Sequence, residues 1–368
     1  MNPMNSIISF FTGAGFLDLG FEHAGFSVDM VNEWDPSFLR GYRHAREKMG
    51  SKPPKYGHHL GSVEEFTDGS LRDLLRSIVV DAQRGGRKVG FVGGPPCPDF
   101  SIAGKQAGSE GDNGRLTGVY FDIIKDAKPD FFIFENVEGL WRTKAHREYY
   151  DACKAGMAAA GYVLYDRLIN AINYGAPQDR SRIFLVGVLN DVSGRSFPWE
   201  VGMKSEDDLL SLDWPVQDPF LPGSLTSLPS PDLPEHLTVE HWFRKNDVEN
   251  HPNSGMYFQP KSPKIAKIDE GDSYSKSFKR LHRWRYSPTA CYGHNEVHLH
   301  PYKPRRISVA ESLALQSLPP SFELPTDMTL SAAFKTIGNG VPYLAAKGLA
   351  ESVAAHLSAE IEELSIAA

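Results

Sequence analysis

The stretch Val89-Gly90-Phe91-Val92-Gly93-Gly94-Pro95-Pro96-Cys97-Pro98-Asp99-Phe100-Ser101 sets a cysteine behind two prolines at the end of an apolar run. Residues 89–92 read as a short buried strand. In an open α/β sheet, ligands bind outside the carboxyl ends of the strands, and the prolines stiffen the approach to a thiol placed there. That placement suits a nucleophile. Taken alone, the segment also fits a buried structural cysteine in a Gly/Pro turn.

Working outward, a second apolar run, Phe131-Phe132-Ile133-Phe134, ends in Glu135-Asn136-Val137. A carboxylate entering a crevice from such a strand is pushed toward its protonated form, which suits a general acid; an ordinary helix cap is the other reading. Farther on, Gln178-Asp179-Arg180-Ser181-Arg182 leads into the apolar run at 183–188. In a strand, Gln178, Arg180 and Arg182 share one face, and two guanidiniums there can hold a carboxylate, a phosphate or a polar base edge. A solvated edge strand carries the same spacing.

At the amino terminus, Ile7-Ile8-Ser9-Phe10-Phe11 reads as a strand that turns through Thr12-Gly13-Ala14-Gly15 toward a helix. A dinucleotide site would carry a third glycine where Asp18 stands, which argues against a pyrophosphate. The next strand, Ser27-Val28-Asp29-Met30-Val31, ends in Asn32-Glu33-Trp34-Asp35, an acid for ribose hydroxyls beside an aromatic face for adenine. An adenosine without a pyrophosphate points to S-adenosyl-L-methionine.

With these elements in order, the chain resembles the cytosine-C5 DNA methyltransferases of restriction-modification systems over nearly its whole length. Thr12-Gly13-Ala14-Gly15 is similar to the first family motif, Glu33-Trp34 to the second, Pro95-Pro96-Cys97 to the nucleophile motif, and Glu135-Asn136-Val137 to the acid motif. Gln178, Arg180 and Arg182 match its Q-x-R-x-R, Arg306-Ile307-Ser308-Val309-Ala310-Glu311 through Pro319 its ninth motif, and Gly338-Asn339-Gly340-Val341-Pro342 its tenth. Departures are Ser9-Phe10-Phe11 for the usual Asp-Leu-Phe, Phe16 for a glycine and Pro98 for a glutamine. Gly61-Ser62-Val63 stands where an acid would meet the adenine amino group, which leaves that contact to the Ser62 hydroxyl or a water.

The resemblance implies a doubly wound, Rossmann-like α/β sheet that binds S-adenosylmethionine, with a second, smaller target-recognition domain. It implies methyl transfer to C5 of a cytosine flipped out of a specific duplex DNA sequence. Cys97 would add to C6, Glu135 would hold a proton at N3, Arg182 would contact the O2 side of the base, and Arg180 would help fix the constellation. Phe11, Gly13, Gly15, Glu33, Trp34, Ser62, Pro96, Val119, Asn339 and Val341 would surround S-adenosylmethionine and its product S-adenosyl-L-homocysteine. No metal is implied. A tRNA cytosine methyltransferase is the alternative on the same catalytic set, but that branch carries a Cys-Phe-Thr element absent here. A catalytically inactive DNA-binding regulator is the other, and such a protein has no physical reason to keep the set.

Residues 103–118, with Gly104, Gly108, Gly111, Gly114 and Gly118, read as a mobile lid over DNA. The net charge of −7 argues against a uniformly basic DNA-binding surface, but Lys276, Lys279, Arg280, Arg283, Arg285, Lys303, Arg305 and Arg306 cluster with only Glu296 against them. That cluster, interleaved with aromatics, predicts a phosphate footprint, so DNA contacts are expected from Lys279, Arg280, Arg283, Arg285, Arg305 and Arg306, with Ser101 added by the nucleophile loop. Cys291, His294, His298 and His300 fit no standard zinc spacing.

Pro-, Ser- and Asp-rich sequence after Val188 marks a boundary. The expected division is a catalytic and cofactor-binding domain at 1–195, completed by 328–368, with a target-recognition domain and hinge at 196–327. Leu344, Leu349, Val353, Leu357, Ile361 and Leu364 recur at helical spacing, so a final helix should return to the sheet. Three cysteines without paired spacing indicate a reducing compartment. With no leader and no membrane span read in the sequence, a monomeric cytoplasmic protein of a bacterium or archaeon is expected, its partners being double-stranded DNA and a cognate restriction endonuclease.

Overall fold

The computed structural model describes residues 5–96, 112–192, 194–205, 208–223, 230–259, 261–274, 278–290, 292 and 296–367. Cys97, Ser101, Lys276, Cys291 and His294 lie outside the described residues, as does the stretch 103–111 of the expected lid. The rest of that stretch is not loop: a helix begins at Asp112 and absorbs residues up to Gly118 and beyond.

Seven strands, β1 (Ser6–Phe10), β2 (Ser27–Glu33), β3 (His58–Leu60), β4 (Val89–Gly93), β5 (Phe131–Val137), β6 (Tyr162–Asn170) and β7 (Ser181–Leu189), form one sheet in the order β3-β2-β1-β4-β5-β7-β6. The first five run parallel, and β7 is antiparallel to both β5 and β6. Helices α1 (Phe16–His23), α2 (Pro36–Lys48), α3 (Gly69–Arg84), α4 (Asp112–Ala127), α5 (Glu138–Arg142) and α6 (Lys144–Ala159) alternate with the strands, as the sequence pattern predicts for a doubly wound α/β fold.

The strands are apolar without alternation because both faces are covered. Ile8, Phe10, Phe91, Phe132 and Phe134 pack into one cluster with α3, α4 and α6. Their neighbours Ile7, Val92, Phe131 and Ile133 point the other way, into a cluster shared with α1 and α10 (Tyr343–Ala367). The last helix therefore returns to the sheet, burying Ala345, Ala346, Leu349, Ala350, Val353 and Leu357; the side chains of Ile361 and Leu364 lie outside the described residues. Strand order reverses between β1 and β4, and the loops leaving their carboxyl ends part to open the crevice where such sheets hold ligands.

A third cluster organises the remainder of the chain around α7 (Val239–Lys245), α8 (Val309–Leu315) and α9 (Leu330–Asn339). Trp242, Phe243, Leu281, Val297, Ile307 and Phe322 pack there against Ala14, Phe16 and Phe38 of the first unit. This region has little regular structure; isolated bridges join Arg280 to Leu299 and Leu299 to Arg306. The sheet also holds more of the chain than the expected boundary at 195/196 allows: Phe197 and Trp199 are buried with α10, and Met203 packs beside them.

Candidate active site

The turn after β1 is held from several sides. Phe11, Gly13 and Gly15 all have positive φ, of 54°, 57° and 80°. Gly13 N donates to Glu33 Oε2 at 2.7 Å, and Asp35 N donates to Glu33 Oε1 at 2.8 Å. The hydroxyls of Ser9 and Thr12 both donate to Asp18, in the first turn of α1, each at 2.7 Å. Burial pushes the carboxyls of Asp18 and Glu33 up, against these hydrogen bonds.

Trp34 follows Glu33 and is 73% exposed, an indole left open at the carboxyl end of β2. Beside it, half-exposed Leu60 ends β3 in register with Glu33. Leu60 was not among the expected contacts, because a three-residue strand leaves no period to read. Ser62 follows the end of β3, and its hydroxyl accepts from Glu64 N at 3.3 Å and caps the 3-10 turn Val63–Phe66. The serine found in place of an acid is thus first a cap.

The end of α9 closes the turn from the opposite side. A Cβ on Gly13 would lie 3.5 Å from Thr336 Oγ1, and Gly340 abuts the Phe16 ring, which brings exposed Asn339 and buried Val341 to this end of the sheet. Phe11 and Val119 pack against one apolar cluster, and Pro96 is half-buried at the end of the segment leaving β4.

On the other side of the crevice, Glu135 lies near the carboxyl end of β5 with its carboxylate buried. A Cβ on Gly94 would lie 2.6 Å from its Oε2, so a larger residue at 94 would push the carboxylate aside. Asn136 Nδ2 donates to Pro95 O at 3.5 Å. The acid is therefore seated on the Gly94-Pro95-Pro96 segment that leads into Cys97. Burial raises the Glu135 carboxyl, while Arg182, with Nε 3.2 Å from Oε1, and Arg180 pull it back.

Of the three side chains expected on one strand face, only Arg182 lies within β7, which begins at Ser181. Arg182 faces Glu135. Arg180 is fully buried and donates to Ala290 O at 2.9 Å and Gly338 O at 2.8 Å. Gln178 donates to Leu315 O at 3.1 Å and accepts from Ala290 N at 3.1 Å. Two of the three thus tie the sheet to the segments around α8 and α9.

Four arginines expected on phosphates have partners within the protein. Arg280 is wholly buried; its guanidinium donates to the carbonyls of Ile265, Ile268, His300 and Lys303, and burial lowers it to about 10. Arg283 is paired with buried Glu270 through two contacts of 2.8 Å, and Arg305 with buried Glu311 at 2.6 and 2.8 Å. Arg306 donates to Val297 O. A region poor in regular structure satisfies its carbonyls with guanidiniums, which positive charge in a sequence does not reveal. Lys279, Arg285, Arg305 and Arg306 stay half-exposed, and Arg285 donates to the Tyr286 hydroxyl at 3.1 Å. Of the histidine cluster, His298 and His300 are buried, and His300 lies 3.4 Å from Glu311 within the same ion-pair network.

Residues 5–355 match the C-5 cytosine-specific DNA methylase family. The Type II methyltransferase M.NmeDI of Neisseria meningitidis serogroup C is 52% identical over 360 residues, 97% of this chain and 85% of that protein. M.FnuDI of Fusobacterium nucleatum is 28% identical, covering 94% of each chain. Among solved structures, a prophage-encoded protein of Escherichia coli, described as a DNA modification methyltransferase, superposes with a TM-score of 0.63 at 22% identity over 96% of this chain and 99% of its own. The Dnmt2 methyltransferase of Schizosaccharomyces pombe does so with a TM-score of 0.59 at 14% identity, over 96% and 98%. At those identities the likeness is one of fold.

Proposed function

The chain belongs to the C-5 cytosine-specific DNA methylase family and is a cytosine-C5 DNA methyltransferase of the type II restriction-modification kind; on that footing we propose that it methylates a flipped-out cytosine within a specific duplex sequence through a covalent link from Cys97 to C6. The observation that carries this reading is the seat of Glu135: buried, raised toward protonation, paired with Arg182 and set directly on the segment before Cys97.

The crevice residues fit S-adenosylmethionine. Trp34 and Leu60 offer apolar surface for adenine, Glu33 offers a buried carboxylate for the ribose hydroxyls, and the Gly13–Gly15 turn keeps side chains out of the way. When bound, this cofactor supplies the methyl group. Cytosine C5 is a weak nucleophile, so the Cys97 thiolate first forms a bond to C6, and the electron pair displaced across the ring is accommodated by protonation at N3. Glu135 holds that proton at N3, and Arg182 keeps the carboxyl oriented and faces the O2 side of the base. Once C5 carries the methyl group, a base removes the C5 proton and the thiolate leaves from C6. Arg180 acts at a distance, by locking β7 to the chain that carries the tenth motif.

Lys279 and Arg285 are the phosphate contacts retained in this reading, together with Ser101; we place the division between a catalytic unit and a recognition unit a little past the expected 195/196, a reading supported by the burial of Phe197 and Trp199 with α10. Bisulfite mapping of DNA from cells expressing the protein should show one methylated sequence context, and Cys97→Ser should abolish it. DNA carrying 5-fluorocytosine in that context should trap a covalent adduct. Methylation by the serine variant would overturn the reading.

A further inference from the structure

Behind the turn at 12–15 lies a group of buried charges that the proposed reaction does not use. Asp18, Glu22, Tyr42 and Arg46 meet where α1 and α2 pack. Arg46 is 6% exposed, its Nη2 donates to Gly15 O at 2.7 Å, and its Nε lies 2.7 Å from Glu22 Oε2. The guanidinium carbon sits 4.6 Å from the centroid of the Tyr42 ring. That ring backs Gly15 so closely that a Cβ there would lie 2.3 Å from it. Burial pushes the carboxyls of Asp18 and Glu22 up, and the Arg46 charge pulls both back.

A buried ion pair is an expensive way to fill space, since apolar residues of similar volume often do as well or better. A guanidinium here therefore invites a reason beyond packing. Arg46 supplies one, because it is anchored by Glu22 on one side and grips a backbone carbonyl of the turn on the other. Tyr42 and Arg46 also line an open cleft of about 290 Å³ with Arg43, Lys52, Pro54 and His58. The turn is then tethered by Gly13 N to Glu33, Thr12 N to Asn32 O and Thr12 Oγ1 to Asp18, while Gly15 O accepts from Leu19 N at the start of α1 and, from behind, from Arg46.

We propose that Arg46 is a positioning residue for cofactor binding, holding the Gly15 carbonyl from behind so that the turn is already ordered when S-adenosylmethionine arrives. This rests on the reading that the crevice takes that cofactor. Loss of the tether should transfer the cost of ordering the turn to the binding step, leaving chemistry at saturation untouched.

The test compares wild type, Arg46→Met and the double variant Glu22→Gln/Arg46→Met, which leaves no unpaired charge at Glu22. Calorimetry with S-adenosylmethionine and with S-adenosylhomocysteine should show both variants binding about tenfold more weakly, with KM for the cofactor rising to match while kcat and DNA affinity hold. The double variant should recover melting temperature without recovering cofactor affinity. Recovery of both together, or a fall in kcat with cofactor affinity unchanged, would make Arg46 merely structural and overturn the proposal. Failure of the wild type to bind either ligand would instead strike at the cofactor reading itself.

Discussion

Arg182 reaches Glu135 diagonally across the antiparallel pair of β5 and β7: Val137 is the residue opposite Arg182 in register, yet Arg182 Nε lies 3.2 Å from Glu135 Oε1. This geometry sets two opposing influences on one proton. Burial favours the neutral acid and the guanidinium favours the carboxylate, with burial the stronger. An acid that must hold a proton on a ring nitrogen near neutral pH is served by that balance.

Glu135→Gln should lower kcat by roughly 10²-fold or more, the scale of general acid–base catalysis, with DNA and cofactor affinities little changed. In the wild type, kcat should fall as pH rises through the elevated Glu135 pKa, because the active form is the protonated one. Removing the opposing charge in Arg182→Met should move that limb to higher pH. A pH–rate profile at saturating DNA and cofactor reads both effects, and a limb moving to lower pH in the arginine variant would contradict the assignment.

Trp34→Ala should weaken S-adenosylmethionine by about 1–2 kcal/mol, the scale of stacking on an aromatic face, while leaving the melting temperature nearly constant, because the indole is 73% exposed and supports little else. Isothermal calorimetry and a thermal scan on the same sample separate the two. A large drop in melting temperature would place the indole in the fold rather than the site.

Strand ends were legible in the sequence because β1, β4 and β5 are buried on both faces and announce themselves as short apolar runs; the residues following them inherit a place at the crevice. What stayed hidden was how much of the basic charge lies inside. Arg280 and Lys279 are neighbours in sequence, and only the fold shows that one is sealed under four carbonyls while the other remains half-exposed. Likewise, the equal spacing of Gln178, Arg180 and Arg182 gave no sign that only Arg182 lies within the strand, while Gln178 and Arg180 both reach Ala290 and tie the sheet to the segments around α8 and α9. Ser62 shows a third limit, since a hydroxyl free on paper is the preferred cap of the turn it begins.

Acid should destabilise the protein through Glu311. Burial works against its charge, yet His300 and Arg305 hold its carboxyl well below the usual carboxylate range, and it also accepts from Ser308 N at 2.7 Å. A carboxyl depressed in the folded state contributes stability that is fully present above its unfolded pKa, about 4.3, and is lost as pH falls below it. Glu311→Gln should cost roughly 3 kcal/mol at pH 7, by stranding Arg305, and should flatten the loss of stability on acidification. Urea midpoints measured at a series of pH values test this; parallel curves for the two proteins would exclude Glu311 as the acid-sensitive group.

Arg280 and Lys279 should separate folding from DNA affinity. The Arg280 guanidinium ties segment 265–268 to segment 300–303 through carbonyl acceptors, with its guanidinium carbon 3.6 Å from the centroid of the Phe220 ring. Arg280→Met should therefore lower the urea midpoint by an amount worth about 3 kcal/mol or more, since several buried carbonyls lose their donor at once. The molecules that remain folded should keep the wild-type salt dependence of DNA binding, because no phosphate contact has gone. Lys279→Ala should do the reverse. Stability should hold, while the slope of log K against log salt should shrink by about 0.9, the value of one released counterion. Fluorescence anisotropy across a salt series reads the slopes and urea unfolding reads the stabilities. If Arg280→Met flattened the slope as Lys279→Ala is expected to, its guanidinium would have to reach DNA through a rearrangement of the region that buries it.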